Sequence, residues 1–437
     1  MKIALIQTPY LDVYGPDRVA VANNVPLGIA HLAGYVREHG QTPILLDPEA
    51  NGWSGERLHQ EIRVFKPDLI GLSCVTASFL TAKKMARKLK EEFGVPIAVG
   101  GPHASALPDL VIEQDKEFDI VAFGEGEETL AEAAGRLEQG RSLEGCLGCH
   151  ARENGRIVKN ERRPYITDVD SLPYPAYDLL DLDLYRPNNQ TSIGKRSLPM
   201  FSGRGCPFPC VFCATNKIMG FKFRANSAEY VVNQMQHLID RYKVEHIAFK
   251  DDTFTVNRKR VFEICSLIRE RGIRIPWTAH ATASTVNEEM IKTMRDAGCF
   301  CILYGIESGD PVVMKNMGKG ITPEQVRRAI GLSHQYGIKT LTSYIFGLPG
   351  ERRETVENTI KLACSVPSTI SMFFILVPYP GSKVYDDFVR KQPERSVDWK
   401  YFAHTSTKPL VSIEGMSEKE MLDLIGAAYR RFYARPT

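Results

Sequence analysis

Cys206, Cys210 and Cys213 lie in the stretch Ser-Gly-Arg-Gly-Cys-Pro-Phe-Pro-Cys-Val-Phe-Cys at residues 202–213, with three and then two residues between them. Three thiolates on one short loop suit a cuboidal iron–sulfur cluster that keeps one iron open to a ligand. A tetrahedral zinc site or a fully ligated cluster normally recruits a fourth protein ligand, and none stands beside this loop. Gly203 and Gly205 let the backbone fold tightly, while Pro207 and Pro209 stiffen it and remove N–H donors. Zinc completed by a distant residue, or unconnected core cysteines, are the alternatives that the spacing leaves.

The stretch resembles the Cys-x3-Cys-x2-Cys loop of the radical SAM superfamily, including the aromatic Phe212 before the last cysteine. The resemblance implies a 4Fe-4S cluster held by Cys206, Cys210 and Cys213. S-adenosylmethionine would chelate the open iron and be cleaved to a 5′-deoxyadenosyl radical.

These residues need a scaffold, and the rest of the chain supplies its pattern. From Leu198 to about residue 385 strand and helix signals alternate six times, with strands at 198–202, 246–250, 277–281, 300–305, 340–346 and 369–377. This reads as a partial (β/α)6 barrel whose functional residues sit at the C-terminal strand ends. Thr322-Pro323-Glu324-Gln325 predicts a capped helix start. By resemblance, Asp251 and Asp252 in Phe-Lys-Asp-Asp-Thr-Phe take the amino group of S-adenosylmethionine. Glu307 and Ser308 in Gly-Ile-Glu-Ser lie near its ribose and methionyl group, and Gly347 in Phe-Gly-Leu-Pro-Gly-Glu lies near adenine. Thr282 and Ser284 stand where many relatives carry Arg and Asp, so a charged contact to the methionyl carboxylate is missing or comes from elsewhere. His280 is the titratable residue of that third strand and a catalytic candidate, set against a hydrogen-bonded interior role.

Residues 1–140 show the same alternation and read as a doubly wound parallel sheet, whose ligands lie beyond the carboxyl ends of its strands. Pro26-Leu27-Gly28, Ser73 with Thr76, Gly100-Gly101-Pro102-His103 and Gly124-Glu125 resemble the cobalamin-binding Rossmann domain that precedes many radical SAM domains. The Asp-x-His-x-x-Gly loop that would bring a histidine to cobalt is absent, because residues 47–52 read Asp-Pro-Glu-Ala-Asn-Gly. The resemblance therefore implies cobalamin with its own base displaced and no histidine ligand; His103 and His31 read as loop or helix residues that could substitute.

Residues 141–197 read as a connector, with a hairpin strand at 156–159 after the turn Glu153-Asn154-Gly155 and a proline-rich linker at 171–178. Cys146-Leu147-Gly148-Cys149-His150 matches the attachment motif of covalent haem, which requires export. Thiols near a hairpin are the expectation here, with a redox dithiol as the alternative. Residues 386–437 end in a basic, aromatic helix over 417–433 that is short or truncated relative to the longer tail of many relatives.

Composition bounds the partners. With 437 residues the chain holds two or three domains, and 55 Lys and Arg against 52 Asp and Glu leave a formal charge of +3. That balance does not call for nucleic acid or a charged membrane surface. Ten cysteines and a start that reads as a first strand point to the reducing cytoplasm. The most apolar stretch, 370–377, falls far short of the ~18 residues of a membrane span, so a lipid substrate would be met at the membrane surface. The function implied is methylation of an unactivated carbon of a small molecule through methylcobalamin, with a flavodoxin or ferredoxin as electron donor. A radical oxidative cyclisation of the tetrapyrrole-cyclase kind, or a non-catalytic cobalamin sensor, are the other readings.

Overall fold

The computed structural model describes residues 1–10, 24–185, 190–403, 406 and 408–435. Two compact units emerge, one built on Met1–Arg186 and joined by Lys217–Gly220 and Val397–Ala403, the other on Pro187–Asn216, Phe221–Ser396 and His404–Thr437.

The first unit contains β1 (Lys2–Gln7), β2 (Thr42–Leu46), β3 (Leu69–Ser73), β4 (Ile97–Gly100), β5 (Ile120–Ala122), β6 (Cys149–Glu153) and β7 (Arg156–Val158). They form one sheet in the order β2-β1-β3-β4-β5-β6-β7. The first five strands are parallel, and β6 and β7 add an antiparallel edge. Helices cover both faces of such a sheet, so its strands are continuous apolar runs, as in Leu-Ile-Gly-Leu of β3. The chain reverses direction in the sheet between β1 and β3, which is where a doubly wound fold opens its ligand crevice.

The connector up to Tyr185 belongs to this unit. Ala176 N–H donates to the Ala30 carbonyl at 2.9 Å, and Gly34 approaches so closely that a Cβ there would stand 2.6 Å from the Tyr174 carbonyl oxygen. Asn154 and Gly155, with φ of 48° and 77°, make the primed turn expected of the hairpin. Cys146 and Cys149 are free thiols inside the core with Ile3, Leu5 and Ala33, next to one another.

The second unit contains β8 (Ser197–Met200), a short ribbon of β9 (Gly203–Arg204) and β10 (Arg224–Ala225), then β11 (His246–Phe249), β12 (Trp277–Ala281), β13 (Cys299–Glu307), β14 (Lys339–Phe346) and β15 (Ile370–Ile375). Six strands form an all-parallel sheet in the order β15-β14-β13-β12-β11-β8. All six lie where the alternation predicts. Thr322 and Gln325 cap each other's backbone N–H groups at 3.0 and 3.3 Å, with Pro323 in the first turn. The C-terminal helix Glu418–Tyr433 begins in a second capping box, Ser417 with Glu420, and closes the open edge of β15. There Phe373 N–H donates to Tyr429 Oη at 3.3 Å and Ser371 N–H to Tyr433 Oη at 3.4 Å, so tyrosine hydroxyls replace a neighbouring strand.

Candidate active site

The cysteine loop leaves β9 and is tied down on two sides. Val211 N–H donates to the Met317 carbonyl and Val384 N–H to the Val211 carbonyl, both at 3.0 Å, and Asn216 Nδ2 donates to the Phe208 carbonyl at 2.8 Å. Gly318, at φ 75°, comes so close that a Cβ would sit 2.8 Å from the Pro209 carbonyl oxygen. A turn from the Cys210 carbonyl to the Cys213 N–H at 3.2 Å brings the last two cysteines together. All three thiols and Phe212 are half-buried. Burial raises the thiol pKa of Cys206, with Cys213 adding to it, and pushes Cys210 up to about 12, with Cys213 and Cys206 both contributing. Three thiols on one tied-down loop have the donor chemistry of an iron–sulfur cluster. Among the described residues no three Cys, His, Asp or Glu, these thiols included, close around one point that could hold a metal ion.

Burial and hydrogen bonding separate the polar residues past the strand ends that are open to a ligand from those spent on the fold. Asp251 is one of the latter. It is 1% exposed, and its two oxygens accept from Ser202 N–H at 2.6 Å and Ser202 Oγ at 2.5 Å, beside the Arg260 guanidinium. The expectation of a paired-acid grip on S-adenosylmethionine therefore narrows to Asp252, which is exposed and accepts from Thr215 Oγ1 at 3.1 Å. Thr253 Oγ1 stands 3.9 Å from Cys206 Sγ. Ser308 is likewise spent on the fold: it is fully buried, and its Oγ lies 3.2 Å from Thr359 Oγ1 and accepts from Asp310 N–H at 3.2 Å.

Glu307 is held differently. It has φ 68°, rare for a residue with a side chain, at a register shift of β13 against β14. Its carboxylate pairs with Lys319 Nζ at 2.7 Å, and Ser343 Oγ donates to it at 3.4 Å. Both members of the pair are largely buried, and they pack directly over Gly305, where a Cβ would have to displace the ends of both side chains. Lys319 lowers the pKa of Cys210 and thus lies close to the cluster loop. Gly347, at φ 98°, begins a loop whose N–H groups at Gly347 and Leu348 both donate to buried Glu351. His280 is half-buried, and desolvation, with Lys250 and Lys319 nearby, pushes its pKa down to about 4, so the ring is neutral.

In the first unit the expected cobalamin residues gather at the strand ends. Gly101, at φ 95°, packs so tightly that a Cβ would lie 2.6 Å from the Cys74 carbonyl oxygen, whereas nothing lies within 4 Å of a Cβ on Gly28. Thr8 Oγ1, at the end of β1 by the switch point, is buried without a hydrogen-bond partner. That orphaned hydroxyl and the open approach at Gly28 fit a bound cofactor there. Glu125 is buried and accepts from Ile166 N–H at 2.8 Å, which makes it a brace for the connector. Gly124, at φ 82°, donates its N–H to Ser105 Oγ at 3.1 Å. His103 is fully buried, stacked on Phe79 at 4.0 Å with the Trp399 ring edge-on at 4.7 Å, and its Nδ1 is 3.2 Å from Thr76 Oγ1. Burial drives its pKa down to about 3. Sequence reading missed Trp399, nearly three hundred positions from the ring it covers, and also Lys319 and Thr215, which carry no motif of their own; Lys250 stood in the Phe-Lys-Asp-Asp-Thr-Phe motif without a role.

One unit is a parallel sheet with three thiols on the loop that follows its first strands, and the other is a doubly wound sheet. Sequence profiles agree: the Radical SAM superfamily profile matches residues 200–363 and the B12 binding domain profile residues 18–134. An uncharacterized methyltransferase of Pyrococcus horikoshii is 35% identical over 100% of this chain and 93% of its own length. The anaerobic magnesium-protoporphyrin IX monomethyl ester cyclase of Rubrivivax gelatinosus is 26% identical over 99% of this chain and 77% of its own. Among solved structures, the radical S-adenosylmethionine methyltransferase TsrM of Kitasatospora setae superposes with a TM-score of 0.72 at 18% identity, covering 89% of this chain and 75% of that one. The chain belongs to the family of cobalamin-dependent radical SAM enzymes.

Proposed function

We propose that this enzyme methylates an unactivated carbon of a small molecule, with two S-adenosylmethionine molecules consumed per product. The observation that carries the reading is the pairing of the three-cysteine loop with a Rossmann-type unit whose switch point holds an orphaned Thr8 hydroxyl. When bound, a 4Fe-4S cluster supplies the electron that cleaves S-adenosylmethionine to a 5′-deoxyadenosyl radical, and cobalamin supplies the methyl carrier. The chain's own part is to bind and orient. Cys206, Cys210 and Cys213 hold the cluster, and Phe212 beside them borders S-adenosylmethionine. Asp252 receives the ammonium of S-adenosylmethionine, Glu307 and Lys319 fix its methionyl and ribose end, and the Gly347 loop, braced by Glu351, borders the adenine. In the first unit Pro26, Leu27, Gly28, Ser73, Thr76, Gly100, Gly101 and Gly124 border the cobalamin, in the domain over residues 1–140. Were cobalamin bound here, residues 47–52 would offer it no histidine and His103, packed against Phe79 and Trp399, would stay a buried neutral ring of the domain core. Ten cysteines, all free thiols, favour the cytoplasm and a flavodoxin or ferredoxin donor there.

Product stoichiometry tests this. Methylation yields one 5′-deoxyadenosine and one S-adenosylhomocysteine with each methylated product, whereas a cyclase like the Rubrivivax relative adds no carbon and releases no S-adenosylhomocysteine.

A further inference from the structure

The face of the second sheet that carries His246 also carries a cation that nothing in the preceding assignment uses. Lys250 follows β11 directly, and its N–H donates to the Met200 carbonyl at 2.9 Å, so extended geometry runs through it. Ala248 pairs in register with Thr278; two residues farther along each strand, Lys250 stands opposite His280. Alternation places both on the face of His246, whose ring is locked between Ser197 Oγ and Thr278 Oγ1 at 2.7 Å each. The other parity belongs to the core, where Phe249 and Trp277 meet edge to face at 5.6 Å.

Lys250 is exposed on this face. Together with desolvation it depresses both imidazoles to about 4, so its two histidine neighbours are neutral. No carboxylate of the described residues lies within ion-pair distance of its ammonium, and desolvation lowers its pKa. Lys319 has Glu307 at 2.7 Å, and Asp252 on the same strand end bonds Thr215 instead. The Lys250 side chain is open to solvent beside the neutral His280 ring and has no carboxylate among the described residues to neutralise it, which leaves it able to take an anion.

We propose that Lys250 receives a carboxylate or phosphate group of the substrate, with His280 as the neutral hydrogen-bonding partner beside it, so that the methyl acceptor is an anionic small molecule. This rests on the His246 face being the reaction face of the enzyme described above. A carboxylate could also arrive on the methionyl end of S-adenosylmethionine, and the test separates the two sources.

The cluster-reconstituted full chain is treated anaerobically with pyridoxal 5′-phosphate. Its aldehyde condenses with a free lysine amine to an imine and water, and borohydride then reduces the imine to a secondary amine that peptide mass spectrometry locates. Labelling at Lys250 that inorganic pyrophosphate suppresses and S-adenosylmethionine leaves in place is the expected result. In Lys250→Met the S-adenosylmethionine dissociation constant stays within about twofold, since loss of a charged contact to it would weaken binding about tenfold or more. Absence of label at Lys250, labelling that pyrophosphate leaves unchanged, suppression by S-adenosylmethionine, or that tenfold loss each overturns the proposal. The labelling arm uses the unmutated chain, so it stands even where the variant folds poorly. Failure of the unmutated enzyme to form 5′-deoxyadenosine would instead sink the parent reading and leave the labelling result to report on Lys250 alone.

Discussion

Replacing Asp251 and Asp252 one at a time separates scaffold from site at adjacent positions. Asp251 is enclosed, and Asp251→Ala strands the Ser202 N–H and Oγ that it accepts from and removes the anion beside Arg260, itself only 5% exposed. Each stranded donor costs about 1–3 kcal/mol, and removing one member of a buried charged set typically costs about 3–5 kcal/mol in total. Burial outweighs the Arg260 and Ser202 contacts and raises the Asp251 carboxyl pKa, so the loss comes from the partners left behind more than from the charge itself. For a unit of this size that destabilisation lowers the melting midpoint by about 10 °C. Asp251→Asn keeps an acceptor for Ser202 N–H and loses only about 1 kcal/mol. Asp252→Ala leaves the midpoint unchanged and weakens S-adenosylmethionine about tenfold or more. Circular dichroism melts and calorimetric titration on cluster-loaded protein read both quantities. An Asp251→Ala protein that melts with wild type and loses S-adenosylmethionine affinity would refute the assignment.

Cys206→Ala, Cys210→Ala and Cys213→Ala should each lose bound iron and sulfide, whereas Cys146→Ala and Cys149→Ala, in the first unit's core, should keep both by iron and sulfide assay. Burial raises the Glu351 pKa to about 8 against its ordinary 4.5, with the Gly347 and Leu348 amides offsetting part of the rise. A raised carboxyl stabilises fully below its unfolded pKa and loses that contribution as pH climbs through 8, so Glu351→Gln should gain on wild type in melts from pH 5.5 to 8.5; a pH-independent difference would contradict this. Electron paramagnetic resonance of the cob(II)alamin-loaded protein should lack nitrogen superhyperfine splitting from a lower ligand; splitting that His103→Ala abolishes would make His103 that ligand.

The strands and the cluster loop were legible because their signals are local: apolar runs bounded by turns, a capped helix at Thr322, three thiols on one loop. The roles of neighbours just past a strand were not. Asp251 and Asp252 follow β11 closely, yet one is buried on Ser202 beside Arg260 and the other is exposed on Thr215, and both Ser202 and Thr215 are far away in the sequence. Ser308 belongs to a motif, yet the contact that fixes it comes from Thr359, fifty-one positions on. Lys319 became visible once the chain brought Gly318 against Pro209, and Trp399 once residues 397–403 joined the first unit. Such contacts arise from tertiary packing and leave no periodicity to read.

The most direct test of the account is anaerobic reduction of the cluster- and cobalamin-reconstituted chain with S-adenosylmethionine, followed by chromatography of the nucleoside products. Formation of 5′-deoxyadenosine that disappears in Cys210→Ala is the predicted result. A fully loaded, folded protein that binds S-adenosylmethionine and releases no 5′-deoxyadenosine would contradict it.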